Sequence, residues 1–181
     1  DAAFGAPYIA CEADLLDAWR TRLAGNDRLK VGLVWAGNPN HSNDRNRSLP
    51  IDVLRCLARV PAVDLYSLQL GSRRADLTIS GLSPPIVDLA GQLADFADTA
   101  AVLCALDLLV TVDTAVAHLA GALGRPVWVM LPFASDWRWH VGGSVTRWYP
   151  SMRLFRQGRH RDWTAPVREI VDRLSRNQLT G

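Results

Sequence analysis

Lysine is almost absent. The chain has 181 residues, and of its 20 basic side chains only Lys30 is a lysine. The formal net charge is +2, which excludes nucleic-acid binding driven by charge alone. The preference for Arg has two readings: genomic codon composition, or the bidentate phosphate contact to which a guanidinium is suited. Cysteine is scarce as well. Cys11, Cys56 and Cys104 are odd in number and far apart, which excludes a disulfide frame. Each lies in an apolar stretch expected to be helical, so all three are read as reduced core thiols. The four histidines are scattered without metal-ligand spacing, and no metal site is expected. No uncharged apolar run reaches about 18 residues, so no transmembrane helix is expected. A basic-then-apolar leader is lacking, and the chain opens Asp1-Ala2-Ala3-Phe4 without Met. These features are read as a piece of a longer cytoplasmic protein. Also missing are Gly-x-Gly-x-x-Gly, a phosphate-loop Lys motif and a nucleophile elbow.

What is present is an ordinary globular composition, 49% hydrophobic and 21% charged, which excludes disorder. The length suits one domain, with a core over about 29–175 and a leading helix or linker over 1–28. Leu15, Leu16, Trp19 and Leu23 recur at helical spacing within 12–23. Short apolar runs at 30–35, 63–68, 86–89, 108–112, 126–131 and 152–155 read as strands. Between them, helices are expected from Pro50 through Leu54, Leu57 and Ala58, from a cap at Asp98 to Leu106, from Thr114 to Leu123 before Gly124, and from a cap at Thr164 to Arg176. The segments 36–50, 71–85 and 132–150 are expected to be loops. Strand and helix alternate, and the strands are apolar throughout. This predicts an α/β fold, a Rossmann-like parallel sheet of about six strands with helices on both faces. Ligands of such sheets bind beyond the carboxyl ends of the strands. The loops 36–50, 112–114 and 132–150 all follow strands, so they should face one cleft.

Three places can bear chemistry. The first is Asp113-Thr114-Ala115-Val116-Ala117-His118, where a strand turns directly into a helix. First-turn amides and the helix dipole make an anion site there. Small residues admit a phosphate, Thr114 adds a hydroxyl, and Asp113 suits a sugar hydroxyl beside the phosphate. The other reading is that Asp113 or Thr114 merely caps the helix. His118, one turn on, either reaches the ligand or is a packed structural residue. The second place is the loop from Ala36 to Pro50. Asn38, Arg45, Arg47 and Ser48 supply donors there, as a diphosphate needs without a metal; the alternative is a solvated loop. The third is Gln69, placed after a strand to read a base or ribose edge. Asp136-Trp137-Arg138-Trp139 either stacks on a ligand or packs against a missing partner domain. Asp44, Asp113 and Asp136 are the few carboxylates near the expected cleft.

The segments VGLVWAGNPNHSNDRNRSLP, DFADTAAVLCALDLLVTVDTAVAHLAGALGRPVWVMLPFASDWRW and WYPSMRLFRQ resemble the glycosyltransferase half of bacterial tetratricopeptide-repeat proteins. That half is similar to glycosyltransferase family 9, the heptosyltransferases, and more distantly to the protein O-GlcNAc transferases. The resemblance spans about 29–175 and is most specific at Asp113, Thr114, His118, Leu119 and Ala120. It implies the GT-B fold, with this chain as the carboxyl-terminal, donor-binding half. It further implies a nucleotide-diphosphate sugar as donor and no cofactor or metal. By that likeness the amides around Thr114, Ala115 and Val116 hold the diphosphate, Asp113 binds the donor sugar, Arg47 meets the phosphates, and Gln69 lies near the nucleoside. Two departures stand out: Ala115 where family 9 commonly has Gly, and Leu70 where relatives often carry Lys. The acceptor site and catalytic base are expected in an amino-terminal half outside this chain.

Three readings follow. The first is the donor half of a metal-independent, inverting glycosyltransferase that binds donor without efficient transfer on its own. The second is a non-catalytic scaffold or partner-binding module attached to the repeats. The third, ranked last, is a small nucleotide-binding or hydrolase domain.

Overall fold

The computed structural model describes residues 5–82 and 85–179. Residues 83 and 84 of the loop expected over 71–85 lie outside the described residues. Six strands form one parallel sheet: β1 Leu29–Val34, β2 Val63–Ser67, β3 Val87–Asp88, β4 Leu108–Val112, β5 Val127–Leu131 and β6 Met152–Arg156. Their order is β3-β2-β1-β4-β5-β6, that of a dinucleotide-binding doubly wound sheet. The chain winds outward from β1 in one direction and, after crossing back, from β4 in the other. The ends of β1 and β4 therefore diverge, and a crevice opens between the loops that leave them.

The strand sequences are apolar at consecutive positions because both faces are covered. Alternate residues enter separate cores. Val31, Leu33, Val110, Trp128 and Met130 pack with α3 (Leu54–Ala58) and α7 (Thr164–Ser175). Val34, Leu109, Val129 and Leu131 pack with α1 (Ala13–Leu23), α5 (Phe96–Ala105) and α6 (Ala115–Ala122). Trp19 and Leu23 of α1 are buried in this second core, and α1 lies against α5. The layer order is helices, sheet, helices, as expected for a Rossmann-like α/β fold.

Several local expectations are corrected. The cap of α5 is Asp95, not Asp98. Asp95 Oδ1 accepts from the amides of Ala97 and Asp98, while Asp98 Oδ2 accepts from Ala94 N. Thr164 is the first residue of α7 rather than its cap, and Asp162 Oδ1 accepts its amide proton. The loop over 36–50 contains a short helix, α2 (Asp44–Arg47), and the segment after β2 contains α4 (Asp76–Ser80). Cys56 is exposed on α3, and Cys11 precedes α1 instead of lying within a helix. Cys11 and Cys104 meet: their thiols hydrogen-bond, and burial with this neighbour pushes the Cys104 thiol up to about 11. Gly124 takes a left-handed φ of 68° after α6, the expected stop.

Candidate functional site

The site is built where β1 and β4 end. Beyond Val34 the β1 backbone leaves the ladder, and the amides of Trp35 and Ala36 need acceptors. Gln69, at the end of β2, supplies them. Its Oε1 accepts from Trp35 N (3.0 Å) and Ala36 N (2.8 Å), and its Nε2 donates to Ala36 O (3.1 Å) and Leu70 O (2.9 Å). An amide has two donors and two lone pairs, so Gln69 is fully used. It is 3% exposed. The expectation that it reads a base or ribose edge is corrected: Gln69 fixes the backbone that forms the cavity wall.

The next turn is fixed by Ser48. Its Oγ accepts from Gly37 N (3.1 Å) and donates to Asp44 Oδ1 (3.0 Å), so Ser48 shapes the loop rather than offering a free donor. Asp44 is buried and also pairs with Arg47 Nε at 3.3 Å. Arg47 Nη1 donates to the backbone oxygen of Asp113 at 2.9 Å. This guanidinium, 13% exposed, thus ties the β1 loop to the β4 loop across the crevice. Gly37 lies against it: a Cβ there would stand 2.3 Å from Arg47 Nη2. Asn38 is exposed, and its Oδ1 accepts from Asn40 N. The inner part of the loop is therefore tied down, with Arg47 at its inner end, while residues 38–42 are exposed.

Opposite Arg47, Thr114 holds an extended backbone before α6 begins at Ala115. The reading of Asp113 or Thr114 as a side-chain cap falls: α6 has no side-chain cap, and Thr114 Oγ1 turns to Thr111 Oγ1 at 3.3 Å. The first-turn amides, Ala115 and Val116 among them, have no intrahelical acceptor and point past the helix end. Ala115 is exposed there.

Two cavities meet at this helix end. One, about 610 Å³, is bounded by Val34, Leu68, Leu93 and Phe96, by the segments 37–39 and 69–72, and by Arg47, Thr114, Ala115 and Val116. The other, about 380 Å³, is bounded by His41, Asn43, Asp113, His118, Ser135, Asp136 and Arg138, and again by Arg47, Thr114 and Ala115. The first is apolar and the second charged, and Arg47 with the start of α6 is their common wall. The wall from Leu93 to Thr99 was not foreseen in the sequence. Asp95 before an apolar helix was its signal, since the start of α5 lies on the same sheet edge.

His118 is packed among aromatic side chains. Its ring stacks on Trp139 (centroids 5.2 Å apart, planes at 23°), Nδ1 meets Tyr149 Oη at 3.3 Å, and Nε2 lies 3.8 Å from Asp113 Oδ1. Burial holds its pKa below the usual imidazole range, against the pull of Asp113. His118 is packed and still faces the second cavity. Tyr149 in turn meets Tyr8 Oη at 3.4 Å, and burial with this neighbour pushes its phenol up to about 12. The aromatic loop splits. Trp139 is fully buried beneath His118, whereas Trp137 is 68% exposed and stands edge-on to Trp148. Asp136 is held below the usual carboxylate range, first by the Arg138 backbone amide and then by its guanidinium.

Residues 67–130, from β2 to β5, match the family model of glycosyltransferase family 9 (heptosyltransferase). Protein FlbA of Caulobacter vibrioides is 29% identical over 152 residues, which covers 80% of this chain and 25% of that protein. The glycosyltransferase family 9 structure from Veillonella parvula superposes with a TM-score of 0.66 at 11% identity, over 95% of this chain and 53% of that one. The E. coli ADP-heptose lps heptosyltransferase II does so with a TM-score of 0.62 at 15% identity, over 96% and 53%. The chain thus spans about half of these solved structures and a quarter of FlbA. At such identities the structural likeness is one of fold alone: a six-stranded Rossmann-like sheet with helices on both faces. The family 9 match lies on the part of it that holds Gln69, Asp113 and the start of α6.

Proposed function

We propose that this chain is the carboxyl-terminal, donor-binding half of a glycosyltransferase whose donor is a nucleotide-diphosphate sugar. The observation that carries the reading is the pair of unlike cavities joined at the start of α6 beside Arg47. An apolar chamber suits a nucleoside, a charged one suits a sugar with its hydroxyls, and a diphosphate would cross the wall between them. The amides of Ala115 and Val116 with the Arg47 guanidinium would meet its charge. The same groups stabilise a departing nucleoside diphosphate electrostatically, so the chemistry needs neither a metal nor a cofactor. Asp113 and Asp136, which line the charged cavity, would accept from the hydroxyls of the transferred sugar. We place the acceptor site and the base of an inverting transfer in an amino-terminal half outside this chain, in a cytoplasmic protein bearing tetratricopeptide repeats.

The test is calorimetric titration of the full-length protein with UDP, ADP, GDP and CDP. Micromolar binding of one of them, weakened at least tenfold in Arg47→Ala, supports the reading and names the base. Unchanged donor affinity in both Arg47→Ala and Asp113→Ala refutes it. A second reading, a partner-binding module without transfer activity, draws on the exposed Phe133, Trp137, Val141 and Val145 beside the cleft. It is favoured if the folded protein binds none of the four nucleotides.

A further inference from the structure

The wall of the charged cavity that follows β5 has a single guanidinium at its root. The segment from Phe133 to Tyr149 has little regular structure of its own beyond a turn at Trp137–Trp139. A segment of that kind holds a fixed shape only if its carbonyls are satisfied from outside it. Arg156, the last residue of β6, does this. Its Nε donates to Gly143 O (3.0 Å), its Nη1 to Ser135 Oγ (3.1 Å), and its Nη2 to the carbonyls of Trp139 and Gly142. All four partners lie in one stretch of nine residues, Ser135 to Gly143. None is a carboxylate, and among the described residues Arg156 makes no ion pair. A half-buried cation spent on neutral oxygens of one loop is placed to shape that loop. The planar fork can span four acceptors at once, as a lysine ammonium cannot. The neighbouring Gln157 fixes the loop's start, since its Oε1 accepts from Phe133 N.

The loop so held delivers Ser135, Asp136 and Arg138 to the charged cavity and seats Trp139 beneath His118. Arg156 itself lines neither cavity. We infer that Arg156 is a positioning residue: by holding the segment 135–143 it preforms the chamber for the group attached beyond the diphosphate. It therefore governs recognition of that group and leaves recognition of the nucleoside diphosphate alone. This rests on the donor reading proposed above, with the nucleotide in the apolar chamber and the sugar in the charged one.

The test compares the wild-type full-length protein with Arg156→Gln and Arg156→Lys. Each is titrated with ADP, UDP, GDP and CDP and with the corresponding diphosphoglucoses, and amide hydrogen exchange is followed over 134–143. Both variants are expected to keep the nucleoside diphosphate Kd within twofold. Exchange across 134–143 should rise at least tenfold in Arg156→Gln. The gain in affinity from the glucosyl group in the wild type should fall at least fivefold in Arg156→Gln and be only partly restored by Lys. A role through charge on the phosphates would instead weaken the bare nucleotides and be rescued by Lys, which would overturn the inference. So would a variant that keeps the wild-type glucosyl increment, or a wild type that binds a nucleoside diphosphate but gains nothing from the sugar. Binding of no nucleotide by the wild type overturns the donor reading first and this inference with it. Failure of the inference alone shows as nucleotide binding that stays intact.

Discussion

Replacing Gln69 with Leu separates a residue that builds the site from one that touches a ligand. The substitution keeps bulk and removes four hydrogen bonds. Two of the groups left behind are decisive. The amides of Trp35 and Ala36 belong to residues only 1% and 2% exposed, and Gln69 Oε1 is the acceptor of both. A buried donor left unsatisfied costs about 1–3 kcal/mol, so the pair costs about 2–6 kcal/mol. A domain of this class has a total stability of about 5–15 kcal/mol. At roughly 2–4 °C per kcal/mol for a chain of this size, Tm should fall by about 4–24 °C. Chemical denaturation gives the free energy directly. Gln69→Glu is the control: it keeps an acceptor for both amides but removes the donors to Ala36 O and Leu70 O. It also buries a charge, so it should destabilise as well. The reasoning is refuted if Gln69→Leu stays within about 1 kcal/mol of the wild type while nucleotide affinity falls tenfold. That outcome would put the amide on the ligand and not on the backbone.

Gly37→Ala should displace the Arg47 guanidinium, since the new Cβ would stand 2.3–2.6 Å from it. Titration should show nucleoside diphosphate affinity reduced about as much as in Arg47→Ala, and equal affinity to the wild type would show that Arg47 is not held where binding needs it. Iodoacetamide at neutral pH should label the exposed Cys56 at least about tenfold faster than Cys104, because only a thiolate reacts and the Cys104 thiol is pushed up to about 11; peptide mass spectrometry reads the order, and equal rates would refute the burial argument. His118 titrates below its ordinary range because burial disfavours the imidazolium. The unfolded chain therefore takes up this proton first. The stability linked to it is complete above about pH 6.5 and is lost as the pH falls from there towards the folded value. Tm measured between about pH 8 and 5 should fall less steeply in His118→Gln than in the wild type, and parallel curves would exclude His118 as the source.

The sheet was legible in the sequence because buried parallel strands are written as unbroken apolar runs, and each of the six runs became a strand. The helix that carries the site was legible too, from an apolar strand running straight into small residues and stopping at Gly124. Cap identities were less so. Asp95 and Asp98 are three residues apart and each takes an amide from the other's side of the helix start, so composition alone does not rank them. Cys56 was misread because α3 is only five residues long and turns one face to solvent. Gln69 and Ser48 were misread for a deeper reason. A polar side chain at a strand end can face the cavity or the backbone beside it. The amides it must satisfy become visible only when β1 and β2 are laid next to each other.

That last failure follows from how parallel sheets end. Each strand's final amides lose their ladder partners where the crevice opens, so the polar side chains nearest a ligand are the first to be claimed by backbone. Here Gln69 serves the end of β1, Ser48 serves Gly37, and Arg47 and Asp44 clamp two loops together. The apolar chamber keeps hydrocarbon walls at Val34, Leu68, Leu93 and Phe96. The charged side chains gather instead in the second chamber, at Asp113, His118, Asp136 and Arg138. On the donor reading, selectivity for the nucleotide should therefore rest on the shape of the apolar chamber and on the backbone amides at the start of α6. Selectivity for the attached group should rest on a handful of side chains, most of them on a loop that Arg156 holds in place. A fold shared at 11–15% identity with solved glycosyltransferases is what such a division permits. On the donor reading, the loop after β5 is where the transferred group would be read.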